Sequence, residues 1–330
     1  MSDPTEPDST VMASSLRPDL RVAVLIPCLN EEASIATVVR DFHALLPAAS
    51  VYVYNNQSSD RTAAIAAEAG AIVRHEERRG KGHVVCRMFS EIEADLYLLV
   101  DGDGTYDAAS APMLIEQLIA DRLDMVCGAR VERGEDAYRR GHRLGNQVLT
   151  GLIAALFGNR FRDLLTGYRV FTRRFVKSFP ALSDGFEIET QLSVHALQMR
   201  LRVAELETPY YARPAHSPSK LRTVRDGLRI LRTIGLLVKE ERPLWFFSVL
   251  FALLASGSIL LAVPIVIEFM QTGLVPRFPT AILATGMMLL GFLLLTSGLV
   301  LDSVAQGRRE LKRLHYLALP DAVQRDRPQP

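Results

Sequence analysis

The chain has 330 residues, 48% of them hydrophobic and 23% charged, with a net charge of +1. That length accommodates one large domain with something appended, at roughly 100–200 residues per domain. The near-neutral balance excludes a surface built to coat nucleic acid, and three separated cysteines with no CxxC pair exclude a disulfide framework.

Cys28, Cys86 and Cys127 each sit in an apolar run and are expected as buried free thiols. Residues 1–20, MSDPTEPDSTVMASSLRPDL, are rich in Pro, Ser, Thr and Asp and lack the apolar stretch of a signal peptide. They hold too little apolar surface to offset the entropy of ordering and are expected as a disordered tail.

From residue 21 the pattern alternates. RVAVLIP (21–27) is a short apolar strand ended by proline, and apolar residues recur at helical spacing over 31–46. A strand at Ser50–Tyr54, the polar turn NNQSSD and a helix at Thr62–Gly70 follow. Next come a strand at Ala71–His75, a helix over Gly82–Glu93 and the strand Leu96–Val100. Such alternation predicts a parallel sheet with helices on both faces, whose ligands bind beyond the C-terminal strand ends. The polar clusters fall there: Asn30-Glu31-Glu32, Asn55–Asp60 and Asp101–Asp103. No GxGxxG follows the first strand and no GxxxxGK[ST] loop occurs, which argues against a dehydrogenase and an NTPase.

Asp101-Gly102-Asp103-Gly104 is the central cluster. An apolar strand running into two carboxylates presents hard oxygen ligands that suit Mg²⁺ or Mn²⁺ together with a diphosphate. A metal there neutralises charge on a departing diphosphate. A solvated Asp-Gly turn is the competing reading.

Arg222, Arg225, Arg229 and Arg232 form one helical stripe over residues 219–243, beside an apolar stripe of Leu221, Val224, Leu228 and Leu231. That suits a helix lying in a membrane interface, with a surface helix packed on the main domain as the alternative. Leu244–Ile267 and Thr280–Leu301 are uncharged, and each exceeds the roughly 20 apolar residues that cross a bilayer as helix. Pro264 stands inside the first as a source of a kink. Lys239 and Arg242 precede the pair and Arg308, Arg309, Lys312 and Arg313 follow it, whereas the connection holds one acid and one base. The positive-inside rule then places both flanks in the cytoplasm, and a bacterial inner membrane is the expected location. The predicted division is a tail (1–20), a catalytic domain (21–218), a juxtamembrane helix (219–243), a hairpin (244–303) and a cytoplasmic tail (304–330). A hairpin of this kind also suits packing with copies of itself.

The motifs IPCLNEE, NNQSSDRT, RRGKG and VDGDG occur in order, followed by GAR (128–130), DLLTGYRVF (163–171), FEIETQL (186–192) and SPSKL (217–221). In order and spacing they resemble the family 2 glycosyltransferases of the GT-A fold. With two C-terminal spans the chain looks like the polyprenyl-phosphate and dolichyl-phosphate sugar synthases. The resemblance implies a mostly parallel, Rossmann-like α/β domain. It implies an inverting hexosyltransferase that moves a sugar from a UDP- or GDP-sugar to polyprenyl phosphate. A lipid-linked glycan as acceptor, or a non-catalytic nucleotide-sugar-binding scaffold, are the rivals.

The resemblance also implies roles. Pro27, Leu29, Glu31, Asn55 and Asn56 would line the base and ribose, and Asp60 would fix the turn before the next helix. Asn55 stands where the family usually has aspartate, and an amide both donates and accepts. Lys81 would reach the nucleotide or diphosphate, between glycines that let backbone approach closely. Asp101, Gly102 and Asp103 would meet the donor, Asp101 and Asp103 would hold the metal, and Asp103 is the stronger ligand candidate. Thr105 sits where a further polar group near the metal is expected. An acceptor phosphate is already an anion and needs orientation and charge screening more than proton removal. Arg130, Arg139, Arg140, Arg169, Arg213 and Lys220 are the expected cationic contacts. Asp163 would bind sugar hydroxyls or act as base, with an ion pair to Arg169 or another base as the alternative. Glu187 and Glu189 would contact the sugar or pair with arginines. His75, His142 and His195 have no metal-ligand spacing.

Overall fold

The computed structural model describes residues 19–132, 151, 161–180, 188–212, 239 and 242–320. The chain forms two compact units, residues 1–226 with 312–330, and residues 227–311.

In the first unit the strands are β1 (Val22–Cys28), β2 (Ser50–Asn55), β3 (Ile72–His75), β4 (Leu96–Leu99), β5 (Met125–Glu132), β6 (Arg169–Thr172) and β7 (Val203–Tyr210). They build one sheet in the order β3-β2-β1-β4-β6-β5-β7. The helices are α1 (Ile35–Leu45), α2 (Thr62–Glu68), α3 (Lys81–Glu91), α4 (Ala111–Ala120), α5 (Arg173–Ser178) and α6 (Ile188–Gln198). The expected alternation through β4 is present, with boundaries shifted by at most four residues. Strands β1, β2, β3 and β4 pair in parallel, as do β5 and β7, while β6 runs antiparallel to both β4 and β5. The sheet is therefore mostly parallel.

All four residues of β4 are buried, as are Ala23 through Ile26 of β1. A strand covered on both faces is apolar at every position rather than at alternate ones, and LYLL and AVLI obey that rule. One side of the core is closed by Ile35, Val38, Val39 and Phe42 of α1, spaced on a single helical face.

The second unit holds most of two long helices, α7 (Pro243–Thr272, 30 residues) and α8 (Phe278–Ala318, 41 residues). Both are long and apolar enough to cross a membrane, and their apolar windows are 11% buried. Within this unit the helices approach through small residues. A Cβ at Gly298 would fall 2.8 Å from Phe247 Cβ, and one at Gly257 2.9 Å from the end of Met287. Ser258 Oγ donates to Ala284 O at 2.7 Å. Small residues that let helix backbones close are the usual means of association where water does not drive it. Helix α7 continues through Pro264. Helix α8 runs on to Ala318, so residues 304–318, expected within a tail, are helical, and residues 312–330 group with the first unit.

Candidate active site

Parallel pairing puts the ends of β2, β1 and β4 side by side, so three loops distant in sequence share one edge. The first, after β1, is cross-linked to the second, after β2. Asn30 N donates to Ser58 Oγ at 2.9 Å, and Ser59 N donates to Asn30 Oδ1 at 2.8 Å. Glu31 N donates to Thr62 Oγ1 at 2.8 Å and Glu32 N to Asp60 Oδ2 at 3.2 Å. Asp60 Oδ1 accepts from Thr62 N, and these bonds hold the Asp60 carboxyl below its ordinary range against the opposing effect of burial. Asp60 thus fixes the turn that opens α2. Asn30 and Gln57 both adopt left-handed backbone, φ 53° and 59°. Strained loop residues that the surrounding bonds over-determine are common at ligand sites.

Asn56 reaches the loop before α3: its Nδ2 donates to Glu76 O and Arg78 O at 3.0 and 2.8 Å, and its Oδ1 accepts from Gly80 N at 2.8 Å. The amide is spent on backbone, and its place in the motif is structural. Asn55 Oδ1 accepts from Ser58 N at 3.0 Å, and its Nδ2 lies 3.4 Å from His75 Nδ1. An aspartate there would lack that amide donor, so the departure from the family pattern has a local use. Gly80 has φ 131°, a conformation that favours glycine, and it delivers Lys81 as the first residue of α3. Pro27, paired with Tyr54, and Leu29 just beyond β1 are half-buried at the same edge.

The third loop carries the carboxylates. Ser34 Oγ donates to Gly102 O at 2.7 Å, tying it to the first. A Cβ at Gly102 would fall 2.5 Å from Cys28 Sγ, and one at Gly167 would fall 2.6 Å from Asp101 Oδ2, so both glycines are required by contact. Asp103 is 3% exposed, and its Oδ1 accepts from Thr105 N and Oγ1 at 3.1 and 2.6 Å. The Lys81 ammonium touches Asp101 and lies 2.5 Å from Glu189 Oε1. Burial alone would lower the Lys81 pKa, but the two carboxylates outweigh it and hold Lys81 charged well above its usual range. Ser34, Asp41, Asp101, Gly104 and Tyr106 border a cavity of about 160 Å³ beside the loop.

A bridge between Tyr106 and Tyr210 joins this loop to the end of β7. Arg130, on β5, stacks over the Tyr210 ring at 5.4 Å and makes a two-pronged pair with Asp163, Nε–Oδ2 2.7 Å and Nη2–Oδ1 2.8 Å. Asp163 therefore anchors Arg130, the alternative foreseen for it, though with Arg130 rather than Arg169 as partner. Arg169 departs from expectation. It is fully buried, its Nε, Nη1 and Nη2 donating to Thr166 O, Ser193 Oγ and Leu164 O at 3.0, 2.8 and 2.6 Å. A guanidinium saturated in the core offers nothing to an acceptor. Arg139, Arg140, Arg213, Lys220, Glu187, His142 and the arginine stripe of 219–243 lie outside the described residues.

Sequence reading left out Ser34, Tyr106 and Gly167. Tyr106 OH accepts from Gly167 N at 2.8 Å, which seats the TGYR turn against Asp101. Gly167, within the TGYR turn, was the available signal, because a glycine in a turn marks close backbone approach. Among the described residues no group of three or more His, Cys, Asp or Glu side chains stands ready for a metal. Two carboxylates one residue apart at a strand end nonetheless fit a hard divalent cation whose remaining ligands are diphosphate and water oxygens.

A sequence profile for glycosyl transferase family 2 matches residues 23–179. Glycosyltransferase AglJ of Haloferax volcanii is 34% identical over 300 residues, covering 90% of this chain and 98% of its own length. A dolichyl-phosphate hexose transferase of the same organism is 28% identical over 221 residues, 67% of this chain and 95% of its own. Among solved structures, glucosyl-3-phosphoglycerate synthase from Mycobacterium tuberculosis, crystallised with Mn²⁺, UDP and phosphoglyceric acid, superposes with a TM-score of 0.57. It is 20% identical and covers 72% of this chain and 84% of its own, which shows a shared GT-A fold.

Proposed function

The chain belongs to glycosyl transferase family 2, and on that premise we propose that it moves a hexose from a nucleoside diphosphate-sugar to a polyprenyl-type lipid phosphate at the cytoplasmic face of a membrane. The observation that carries this reading is the Asp101-Gly102-Asp103 pair at the end of β4, with Lys81 held against it and Arg130 stacked nearby on Tyr210. The first two loops take the nucleoside, and Asp101 and Asp103 hold Mg²⁺ or Mn²⁺. When bound, that ion neutralises charge on the leaving diphosphate. Lys81 adds a fixed positive charge beside the same oxygens, where a preorganised cation favours charge that develops during reaction.

In the reaction a phosphate oxygen of the acceptor bonds to the anomeric carbon as that carbon's bond to the diphosphate oxygen breaks. The nucleoside diphosphate leaves with the electron pair, and the anomeric configuration inverts. The nucleophile arrives deprotonated, so the site orients it rather than taking a proton. Arg130, locked by Asp163, is placed to screen the incoming phosphate. Two supports converge on the lipid acceptor: the likeness to a dolichyl-phosphate hexose transferase, and two helices long and apolar enough to span a bilayer.

The test is a panel of UDP- and GDP-sugars with polyprenyl phosphate in detergent, the lipid product read by mass. Transfer is expected with wild type and is expected to stop with chelator. In Asp103→Asn, which keeps an oxygen for Thr105, it falls by roughly a hundredfold or more. Transfer that persists in both would sink the proposal.

A further inference from the structure

Five arginines, Arg122, Arg174, Arg200, Arg202 and Arg313, line a cavity of about 220 Å³ with Asp124, Thr172 and Tyr316. All belong to the first unit. The cavity lies at the sheet edge opposite the carboxylate pair: Thr172 pairs with Leu96 at the start of β4, whereas Asp101 follows its end. Asp124 is the one acid lining it among the described residues, and it is engaged. Its Oδ1 accepts from Tyr316 OH at 2.6 Å and its Oδ2 from Arg202 N at 3.1 Å. The Arg174 and Arg313 guanidinium carbons lie 4.3 and 5.2 Å from the Tyr316 ring centroid. Among the described residues no carboxylate lies within ion-pair distance of Arg122, Arg200 or Arg202.

Backbone geometry adds an independent observation. Arg122 and Arg200 both have φ 52°. Each ends a helix in the same way. Leu123 N donates to Leu118 O past the end of α4, and Leu201 N donates to Ala196 O past the end of α6. This is the left-handed helix stop that glycine normally fills. Glycine would close both helices without strain, and what arginine adds is a guanidinium. The two strained helix ends direct both additions to one cavity, which already holds three more. Strain kept where it is not needed for folding points to a ligand.

We propose that this cavity is a second anion site, separate from the sugar-transfer edge, that takes a phosphate group carried either by a lipid headgroup or by a small free anion. Guanidinium forks match phosphate oxygens in pairs, and among the described lining residues five arginines stand with one carboxylate that is already spent. The volume falls below the roughly 300 Å³ at which pockets begin to hold drug-sized ligands, so a nucleotide-sugar is too large.

The experiment uses the full chain in detergent, wild type beside Arg122→Gly/Arg200→Gly. Those glycines fit the left-handed backbone, so the variant is expected to melt at or above the wild-type temperature. In one arm, inorganic phosphate is titrated against chloride at matched ionic strength and the melting shift is read. In the other, phosphatidylglycerol retained by the protein is counted by native mass spectrometry. The variant's phosphate-dependent shift is expected to fall by roughly half or more, or its retained lipid to fall about threefold. A loss confined to the lipid arm names the headgroup as the source, and one confined to the phosphate arm names the free anion. Wild-type responses retained in both arms, or a wild type that responds to neither probe, would overturn the proposal. Arg202→Gln, whose backbone still holds Asp124, serves as the second variant and is expected to show the same loss.

Discussion

Lys81 stands in contact with Asp101, the first carboxylate after β4, on a helix whose opening residue it is. The same ammonium reaches Glu189 in the first turn of α6, so one cation balances two acids more than eighty residues apart. Lys81→Ala is expected to leave both acids uncompensated and to cost about 3 kcal/mol of stability, read as a lower melting temperature. Transfer should fall by roughly a hundredfold. Because the folded pKa of Lys81 is raised, its stabilisation is complete below the unfolded lysine value, about 10.4, and is lost only above the folded one. The stability difference between wild type and Lys81→Met should therefore stay level from neutral pH to about pH 10.

Gly167→Ala tests the placement of Asp101. The added methyl would lie 2.6 Å from Asp101 Oδ2 and 2.9 Å from its Cγ, so the carboxylate has to turn aside. A displaced ligand costs about ten- to a hundredfold in kcat/KM while the sheet stays folded. Gly286→Ala, where the added carbon meets nothing within 4 Å, is the control and should leave kcat/KM unchanged.

Arg169→Met separates a core arginine from an acceptor-binding one. Three acceptors, two of them backbone carbonyls, lose their donor in the interior. The expected cost is about 2–3 kcal/mol in thermal or chemical unfolding. In protein that remains folded, the KM for lipid phosphate should not move; a KM that rises tenfold with unchanged stability would return Arg169 to the acceptor side.

How much of this was readable in advance varies by the range of the interaction that fixes it. The β-α-β-α-β series and the meeting of its three polar loops follow from local periodicity and the rule for parallel sheets. Arg169 was misplaced because a charged residue reads as surface unless distant segments supply partners, and those come from Leu164, Thr166 and Ser193. The antiparallel entry of β6 is decided by its neighbours β4 and β5, and RVFT is too short to announce a direction. Asp163 and Arg130, 33 residues apart, meet because β6 runs antiparallel to β5, so the segment before β6 returns along the end of β5. Helix α8 outruns the expected apolar span because the arginines after Leu301 mark where apolarity stops, not where helix does. Helix continues until a breaker, and no proline stands between Pro279 and Pro320.

His195 predicts an acid limit. Burial, with repulsion from Lys312 second, lowers its pKa to about 3, so the folded protein keeps it neutral while the unfolded chain binds a proton below about 6.5. The unfolded state then holds more protons, and stability declines as pH falls through that window, by up to roughly 3 kcal/mol between pH 6.5 and 4. Urea unfolding at several pH values should show this slope, and His195→Gln should flatten it.

The sheet is complete once Tyr210 has been made, yet Tyr316, the ring between Arg174 and Arg313, is 106 residues further along (316 − 210). At about 5–20 residues per second a ribosome spends on the order of ten seconds between them. Every newborn molecule thus passes through an age at which the carboxylate edge is finished and the arginine basin lacks a wall. A product truncated ahead of residue 312 would be arrested at that age, without the aromatic partition on the far side.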